Sequence, residues 1–79
     1  MRFDRSASKH RVPRRSTWYV VMTATPRPII TNRGEPGLWY VGIDDRGVEL
    51  EVCTVKRGAE EMVIHSMPTS YRHSAEGGQ

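Results

Sequence analysis

The stretch that decides the fold is YVGIDDRGVELEV, residues 40–52. Its middle, DDRG at 44–47, combines Asp with Gly in the way that is typical of a tight hairpin turn. Apolar residues precede the turn, and VELEV after it alternates apolar with acidic side chains. Because successive side chains of a strand point to opposite faces, this alternation predicts a hairpin with one apolar and one polar face. The apolar face after the turn would carry Val48, Leu50 and Val52.

The segments around this hairpin have the composition of strands and turns as well. Short β-branched or aromatic runs alternate with loops that contain Gly or Pro. The predicted order is a strand at 27–31, a loop at 32–37, the hairpin strands at 38–43 and 48–55, a second hairpin loop at 56–60 and a last strand at 61–67. We therefore expect three or four antiparallel strands.

The last predicted strand, EMVIHSM, carries a histidine and ends at a proline. Pro68 stops it because proline cannot donate a ladder hydrogen bond. In a regular strand Met62 and Ile64 face one way, whereas Val63 and His65 face the other. His65 is therefore expected to share a face with Val63.

The stretch PRRSTWYVVMTATP, residues 13–26, fits two structures. Its run WYVV has high β propensity. Trp18, Val21, Met22 and Thr25, however, recur at i, i+3, i+4 and i+7, which is one stripe of a helix. Pro13 suits a first helical turn and Pro26 suits a stop, and this punctuation favours the helix.

Together these elements predict an α+β domain, with an N-terminal helix packed on a small antiparallel meander of three to four strands. The helix would cover the apolar face of the hairpin. A single domain would span residues 1–73, beginning with a basic arm at 1–12. The tail at 74–79 is small and polar, and we expect it to be disordered.

The composition restricts the classes of function. A chain of 79 residues has room for one domain with a thin core, so a partner or self-association is an option for its stability. Cys53 is its only cysteine, which excludes an internal disulfide and favours a reducing compartment. Neither Cys53 nor the histidines have metal-ligand spacing, so no metal or other cofactor is expected.

No apolar run approaches the roughly 20 residues of a membrane helix, and the basic start lacks the apolar segment of a secretory signal. The sequence therefore predicts a cytoplasmic protein without a membrane partner.

The charge is unevenly distributed along the chain. Residues 1–15 hold six basic residues and one acid, whereas residues 44–61 hold six acids and three basic residues. A basic end suits a phosphate backbone such as that of RNA, or an acidic partner. A solvated arm without a ligand is the alternative.

The order of these features resembles the BrnT family of bacterial type II toxins. The opening FDRSASKHRV (3–12) carries the Lys9-His10 pair, and the helix stop Pro26, the hairpin and VIHSMP (63–68) follow in the order of that family. The resemblance covers residues 3–72. It implies a RelE-like α+β fold, a ribonuclease that arrests growth, and a cognate antitoxin protein as partner.

The sequence departs from that family at its Ile-Ser-Ala-Arg motif. Ile64-His65-Ser66-Met67 stands in its place, so the motif arginine is missing. Arg72 is the nearest arginine that follows, and it would have to replace the missing one.

Metal-free RNA cleavage needs a base, an acid and a cation that stabilises the charge on the phosphorane. Histidine suits proton transfer because the residue titrates near neutrality, and arginine binds phosphate through a fork that stays charged. These needs select a catalytic set, His10, His65 and Arg72. They also select an RNA-binding set, Lys9, Arg11, Arg14, Arg57 and Tyr71.

Several of these residues also have a structural interpretation. A histidine on a central strand, such as His65, is more often a buried or edge residue that bonds a neighbouring backbone group. Glu49 and Glu51 are expected on an outward polar face rather than in a carboxylate pair, and Trp18, Trp39 and Tyr40 are expected in the core. A second hypothesis is accordingly a non-catalytic domain of the same fold that binds nucleic acid or protein. A third is a small regulatory subunit that is stable only as a dimer.

Overall fold

The computed structural model describes residues 1–72. Its elements in chain order are β1 (Arg2–Phe3), a short 3-10 helix (Arg5–Ser8), α1 (Arg14–Thr23), β2 (Arg27–Ile30), β3 (Pro36–Ile43), β4 (Glu49–Arg57) and β5 (Glu60–Pro68). A further helical turn begins at Thr69. The tail predicted at 74–79 lies outside the described residues.

The five strands form one mixed sheet in the order β1-β5-β4-β3-β2. Strands β2 to β5 pair antiparallel, whereas β1 pairs with β5 in parallel, with Arg2 opposite Met62 and Phe3 opposite Val63. The prediction of an N-terminal helix on a three- to four-stranded, RelE/BrnT-like meander is therefore wrong. Helix α1 follows β1, and the sheet has five strands. Residues 2–4 can be expected to pair with a sheet edge, but two residues are too few to indicate the partner strand, which is about 60 positions further along the chain.

The predictions of individual strands and of the helix agree with the structure. The strands predicted at 27–31, 38–43, 48–55 and 61–67 are confirmed as β2 to β5, with ends that differ by at most two residues. The helical interpretation of the stretch WYVV is confirmed as well. In the two hairpin turns Gly47 and Gly58 have φ values of 84° and 65°, which glycine adopts without strain.

Helix α1 covers one face of the sheet, and the core lies between them. Val20 of the helix and Leu50, Val52 and Val63 of the central strands are fully buried. Gly42 of β3 permits the close approach of the helix end, because a Cβ at that position would lie 3.0 Å from the Cβ of Ala24. The apolar face predicted from the alternation is thus the face that contacts the helix.

Two arginines at the start of α1 oppose the helix dipole, and each has a compensating contact. The Arg14 guanidinium lies 5.1 Å from the centroid of the Phe3 ring. The Arg15 Nε lies 3.5 Å from Asp45 Oδ2, and the Ser16 hydroxyl donates to the same carboxylate at 2.7 Å. Asp45 therefore brings negative charge to this helix terminus, and links it to the turn between β3 and β4.

A β-bulge in β5 reverses the expected orientation of its residues. Cys53 pairs with His65 but the next residue, Thr54, pairs with Val63, so Ile64 is the extra residue. Val63 consequently points into the core beneath α1, whereas His65 points to the opposite face of the sheet. The expectation that the two share a face is wrong, because one inserted residue shifts the alternation.

The aromatic residues expected in the core are distributed among three environments. Tyr40 is buried there, and its hydroxyl donates to Glu61 at 3.0 Å. Trp18 is 51% exposed on the outer side of α1, so the prediction for it is wrong. Trp39 is partly buried on the sheet face opposite the helix. Within residues 1–72, no helix is long and apolar enough to cross a membrane.

Candidate functional site

The candidate site lies on the sheet face opposite α1, where three neighbouring strands place Trp39, Cys53 and His65 in one row. Trp39 and His65 are two strands apart, which is about 10 Å between backbones. Their rings nevertheless stack, with centroids 5.8 Å apart and planes 12° from parallel. The small Cys53 side chain between them leaves room for this contact. Burial raises the pKa of the Cys53 thiol, which keeps it neutral.

Glu51 binds both His65 and Arg72 in this site, although the sequence predicts that it lies on an outward polar face. It is 2% exposed, and its carboxylate accepts hydrogen bonds from His65 Nε2 at 2.8 Å and from Arg72 Nε and Nη2 at 3.0 and 2.5 Å. Burial by itself raises the pKa of Glu51, but the hydrogen bonds from Arg72 and His65 outweigh burial and lower it. Glu51 is therefore a carboxylate held by a cation and an imidazole.

The bond to Glu51 also fixes how His65 carries its proton. An ionised carboxylate only accepts hydrogen bonds, so the Nε2 of His65 carries the hydrogen. In the neutral ring Nδ1 is then the nitrogen that can take up a proton. The arrangement orients the imidazole in the way that a carboxylate orients the histidine of a general base.

His10 approaches His65 from the segment after the 3-10 helix. The two ring centroids lie 6.0 Å apart at an interplanar angle of 78°, and the Tyr71 ring lies 5.9 Å from His10 at the same angle. Arg11, the next residue, has a φ of 56°, in the left-handed region that non-glycine residues rarely adopt. The chain therefore turns sharply just after His10 and enters α1 three residues later.

The fold brings the predicted catalytic residues together. His10, His65 and Arg72 belong to one cluster, and Tyr71 from the RNA-binding set joins it. The two histidines are 55 positions apart in the chain, and their proximity comes from the parallel pairing of β1 with β5. Arg72 takes part in the cluster as a ligand of Glu51, with 53% of its side chain exposed.

The other predicted RNA-binding residues lie at varying distances from this cluster. Arg57 lines a groove beside His65 and donates to Glu35 at 3.1 Å. Lys9 and Arg11 are exposed on either side of His10. Arg14 lies over Phe3 at the start of α1, and no contact joins it to the histidines in the described residues.

Sequence reasoning missed Glu51 and Trp39. A signal for Glu51 was present, because Cys53 and Val55 follow it on the same strand face and both are apolar. Apolar residues further along a strand face indicate that this face is partly buried. A carboxylate on such a face needs hydrogen-bond partners. Nothing local marks Trp39, whose position depends on the pairing of β3 with β4.

No group of three or more His, Cys, Asp or Glu side chains is arranged to hold a metal ion within residues 1–72. Comparisons of the chain with family models, with curated proteins and with solved structures returned no match.

The first testable consequence of this geometry concerns Glu51. Replacing Glu51 by alanine removes the acceptor of three hydrogen bonds from cationic or imidazole groups, and we expect a loss of about 2 kcal/mol in the free energy of unfolding. Urea denaturation at neutral pH measures it. Glu49→Ala is the matched control on the same strand, since Glu49 is exposed and, among residues 1–72, accepts a side-chain hydrogen bond from Thr69 alone.

The same substitution changes the acid stability. The pKa of Glu51 is lower in the folded chain than its ordinary value of 4.5, so the unfolded chain binds this proton more tightly. The stabilisation from Glu51 is therefore complete above pH 4.5 and is lost as the pH falls through the lower folded pKa. Glu51→Ala should have a flatter stability profile below pH 4.5, and a profile parallel to the wild type would contradict the assignment.

Proposed function

We propose that this chain is a metal-independent endoribonuclease in which His10 and His65 transfer protons and Arg72 stabilises the phosphate. One observation carries the proposal: two imidazoles lie 6.0 Å apart, and a buried carboxylate binds both one of them and an arginine. The sequence alone selected these three residues for this chemistry, and they are distant in the chain.

The cluster has the parts that the reaction requires. One imidazole removes the proton of the 2′-hydroxyl, which attacks the adjacent phosphorus and breaks the bond to the 5′-oxygen. The other protonates that departing oxygen. The ring centroids are 6.0 Å apart, a separation that one phosphodiester can bridge. The products are a 2′,3′-cyclic phosphate and a 5′-hydroxyl, and no water or metal enters this step.

Arginines and a lysine supply the positive charge. Arg72 is half exposed beside His65, and Arg57 lines the same groove. Guanidinium groups hold phosphate oxygens with paired, charge-assisted hydrogen bonds, and those bonds strengthen as charge develops on the phosphorane. Lys9 and Arg11 flank His10 and add to the local potential that attracts RNA.

The biological role that we propose is that of the toxin of a type II toxin–antitoxin pair. The resemblance of residues 3–72 to BrnT toxins supports it, through the Lys9-His10 pair and the order of the later motifs. In that role the protein acts in the cytoplasm on RNA, and a cognate antitoxin covers its basic surface. Self-association is a further way for so small a domain to gain stability.

The test is RNA cleavage by the purified chain with EDTA present. We expect cleaved single-stranded RNA with cyclic phosphate and 5′-hydroxyl ends, and arrest of bacterial growth when the chain is induced without its antitoxin. Cleavage that EDTA abolishes would contradict the mechanism. Cleavage without growth arrest would retain the enzyme and reject the toxin role.

A non-catalytic binding domain is the second candidate, and one observation favours it. Glu51, His65 and Arg72 satisfy one another, and no buried polar side-chain atom in the described part of the chain lacks a partner. Such a network serves equally well as a structural clamp. RNA binding with no cleavage under any condition would select this candidate.

A further inference from the structure

A groove of about 700 Å³ opens beside His65 on the sheet face opposite α1. It runs between the 3-10 helix and the loop that joins β2 to β3, which begins at Thr31. Trp39 and Cys53 of the central strands contribute to its lining, and so does the extra residue of the bulge, Ile64. The groove is thus continuous with the cluster of His65 and Arg72, which also line it.

One side of the groove is apolar although it faces solvent. Trp39 presents an aromatic surface there, together with Ile29 of the edge strand β2, which pairs with Gly37 on the same face of the sheet. The next residue, Ile30, pairs with Pro36, so its side chain points to the other face. A single isoleucine needs no explanation, but an aromatic ring and an isoleucine on neighbouring strands of one groove wall form a continuous apolar surface.

Three arginines and two acids line the rim of the groove: Arg33, Arg57 and Arg72, with Asp4 and Glu35. Hydrogen bonds from Ser6 lower the pKa of Asp4, and the positive charges of Arg57 and Arg33 contribute to the same shift. Arg57 also donates to Glu35 at 3.1 Å, which ties the β2–β3 loop to the hairpin between β4 and β5. A flat apolar wall with cations at its edge matches a nucleobase that is joined to phosphates.

We propose that this groove binds one unpaired base of the RNA, next to the phosphodiester that lies at His10 and His65. The base contacts Trp39 and Ile29 through its face, and Arg33 and Arg57 hold the phosphate that follows. The position of the scissile phosphate rests on the function proposed above. The substrate class is single-stranded RNA, because a paired base is stacked on both sides and has no free face for the wall.

The experiment uses Trp39 as the reporter and a ligand that cannot be cleaved. The chain has two tryptophans, and Trp18 lies on α1, on the other side of the sheet. A Trp18→Phe variant therefore reports Trp39 alone. Its fluorescence is titrated with a short 2′-O-methyl oligoadenylate, which lacks the attacking hydroxyl, and with an abasic oligomer of the same backbone.

We expect the oligoadenylate to change the Trp39 fluorescence and to bind about 5- to 150-fold more tightly than the abasic oligomer. A Trp39→Phe variant, in which only Trp18 emits, should give no fluorescence change. Equal affinity for the two oligomers would overturn the proposal, because binding would then depend on phosphates alone.

Two isoleucines give a matched comparison for the wall. Ile29→Ser should weaken oligoadenylate binding about fivefold, whereas Ile43→Ser, on β3 and outside the groove, should leave it unchanged. An Ile29→Ser variant that binds as the wild type does would also overturn the proposal. Because the ligand is not cleaved, base-dependent binding by a chain without ribonuclease activity would keep the groove assignment and reject only the enzyme.

Discussion

Replacing His65 by alanine is expected to lower the rate of RNA cleavage about 10²- to 10⁴-fold, the usual contribution of a general acid or base. The imidazole is fixed by its bond to Glu51 and lies beside His10, so its loss removes one of the two proton-transfer groups. The measurement is single-turnover cleavage of a labelled single-stranded RNA, at saturating enzyme and over a range of pH. The variant should lose one limb of the pH–rate profile.

The control for this prediction is His65→Gln. Its side-chain amide can still donate to Glu51 and fill the place beside Trp39, but it cannot transfer a proton near neutral pH. If His65 is a structural residue only, His65→Gln should restore most of the activity that His65→Ala loses. If it is catalytic, both variants stay slow. A His10→Ala/His65→Ala double variant should then be little slower than the worse single variant, because the two groups act in one reaction.

Leu50→Ala should cost about 2–5 kcal/mol in the free energy of unfolding, the range for a leucine that is removed from a packed core. Leu50 is fully buried on the central strand β4, where it pairs with Gly42 on one side and with Pro68 on the other. A chain of this length has a total stability of only about 4–12 kcal/mol, so the loss is a large share of it.

Thermal unfolding followed by circular dichroism measures this loss. For a domain of this size about 3 kcal/mol lowers Tm by about 12–24 °C. Val41→Ala is the control, since Val41 lies on the adjacent strand and is largely exposed, and its substitution should change the stability by less than about 0.5 kcal/mol. A Leu50→Ala variant as stable as the Val41→Ala control would contradict the assignment of Leu50 to the packed core.

The parts of the fold that follow from local chemistry could be predicted from the sequence. The hairpin turns at Gly47 and Gly58 depend on residues within each turn, and the alternation after the first turn depends on one strand. The helix is predicted from an apolar stripe and from the prolines that bound it. The prolines place it correctly, but the stripe does not give its buried face, because Trp18 and Met22 are exposed whereas Thr17 and Val20 are buried. Each of these signals lies within about a dozen residues of the structure that it specifies.

The parts of the fold that depend on pairing between distant segments could not be predicted from the sequence. The sequence allows residues 2–4 to pair with a sheet edge, but it does not indicate that the partner is β5 or that the pairing is parallel, and the bulge at Ile64 follows only from the register against β4. That bulge decides the candidate site, because a regular strand would turn His65 toward the core. Chemistry could single out His65 from the sequence, but its orientation follows from the register.

The parallel pairing of β1 with β5 has a consequence for the order of events in time. Synthesis makes β1 before β5, so β1 has no partner strand until the residues of β5 have been made. Contacts between segments so far apart close late, since the entropy of a large loop is lost before they form. His10 is synthesised well before His65 and Arg72. The histidine cluster is therefore assembled only after β5 has been made, and a product that stops before β5 has neither the parallel pairing nor the paired imidazoles.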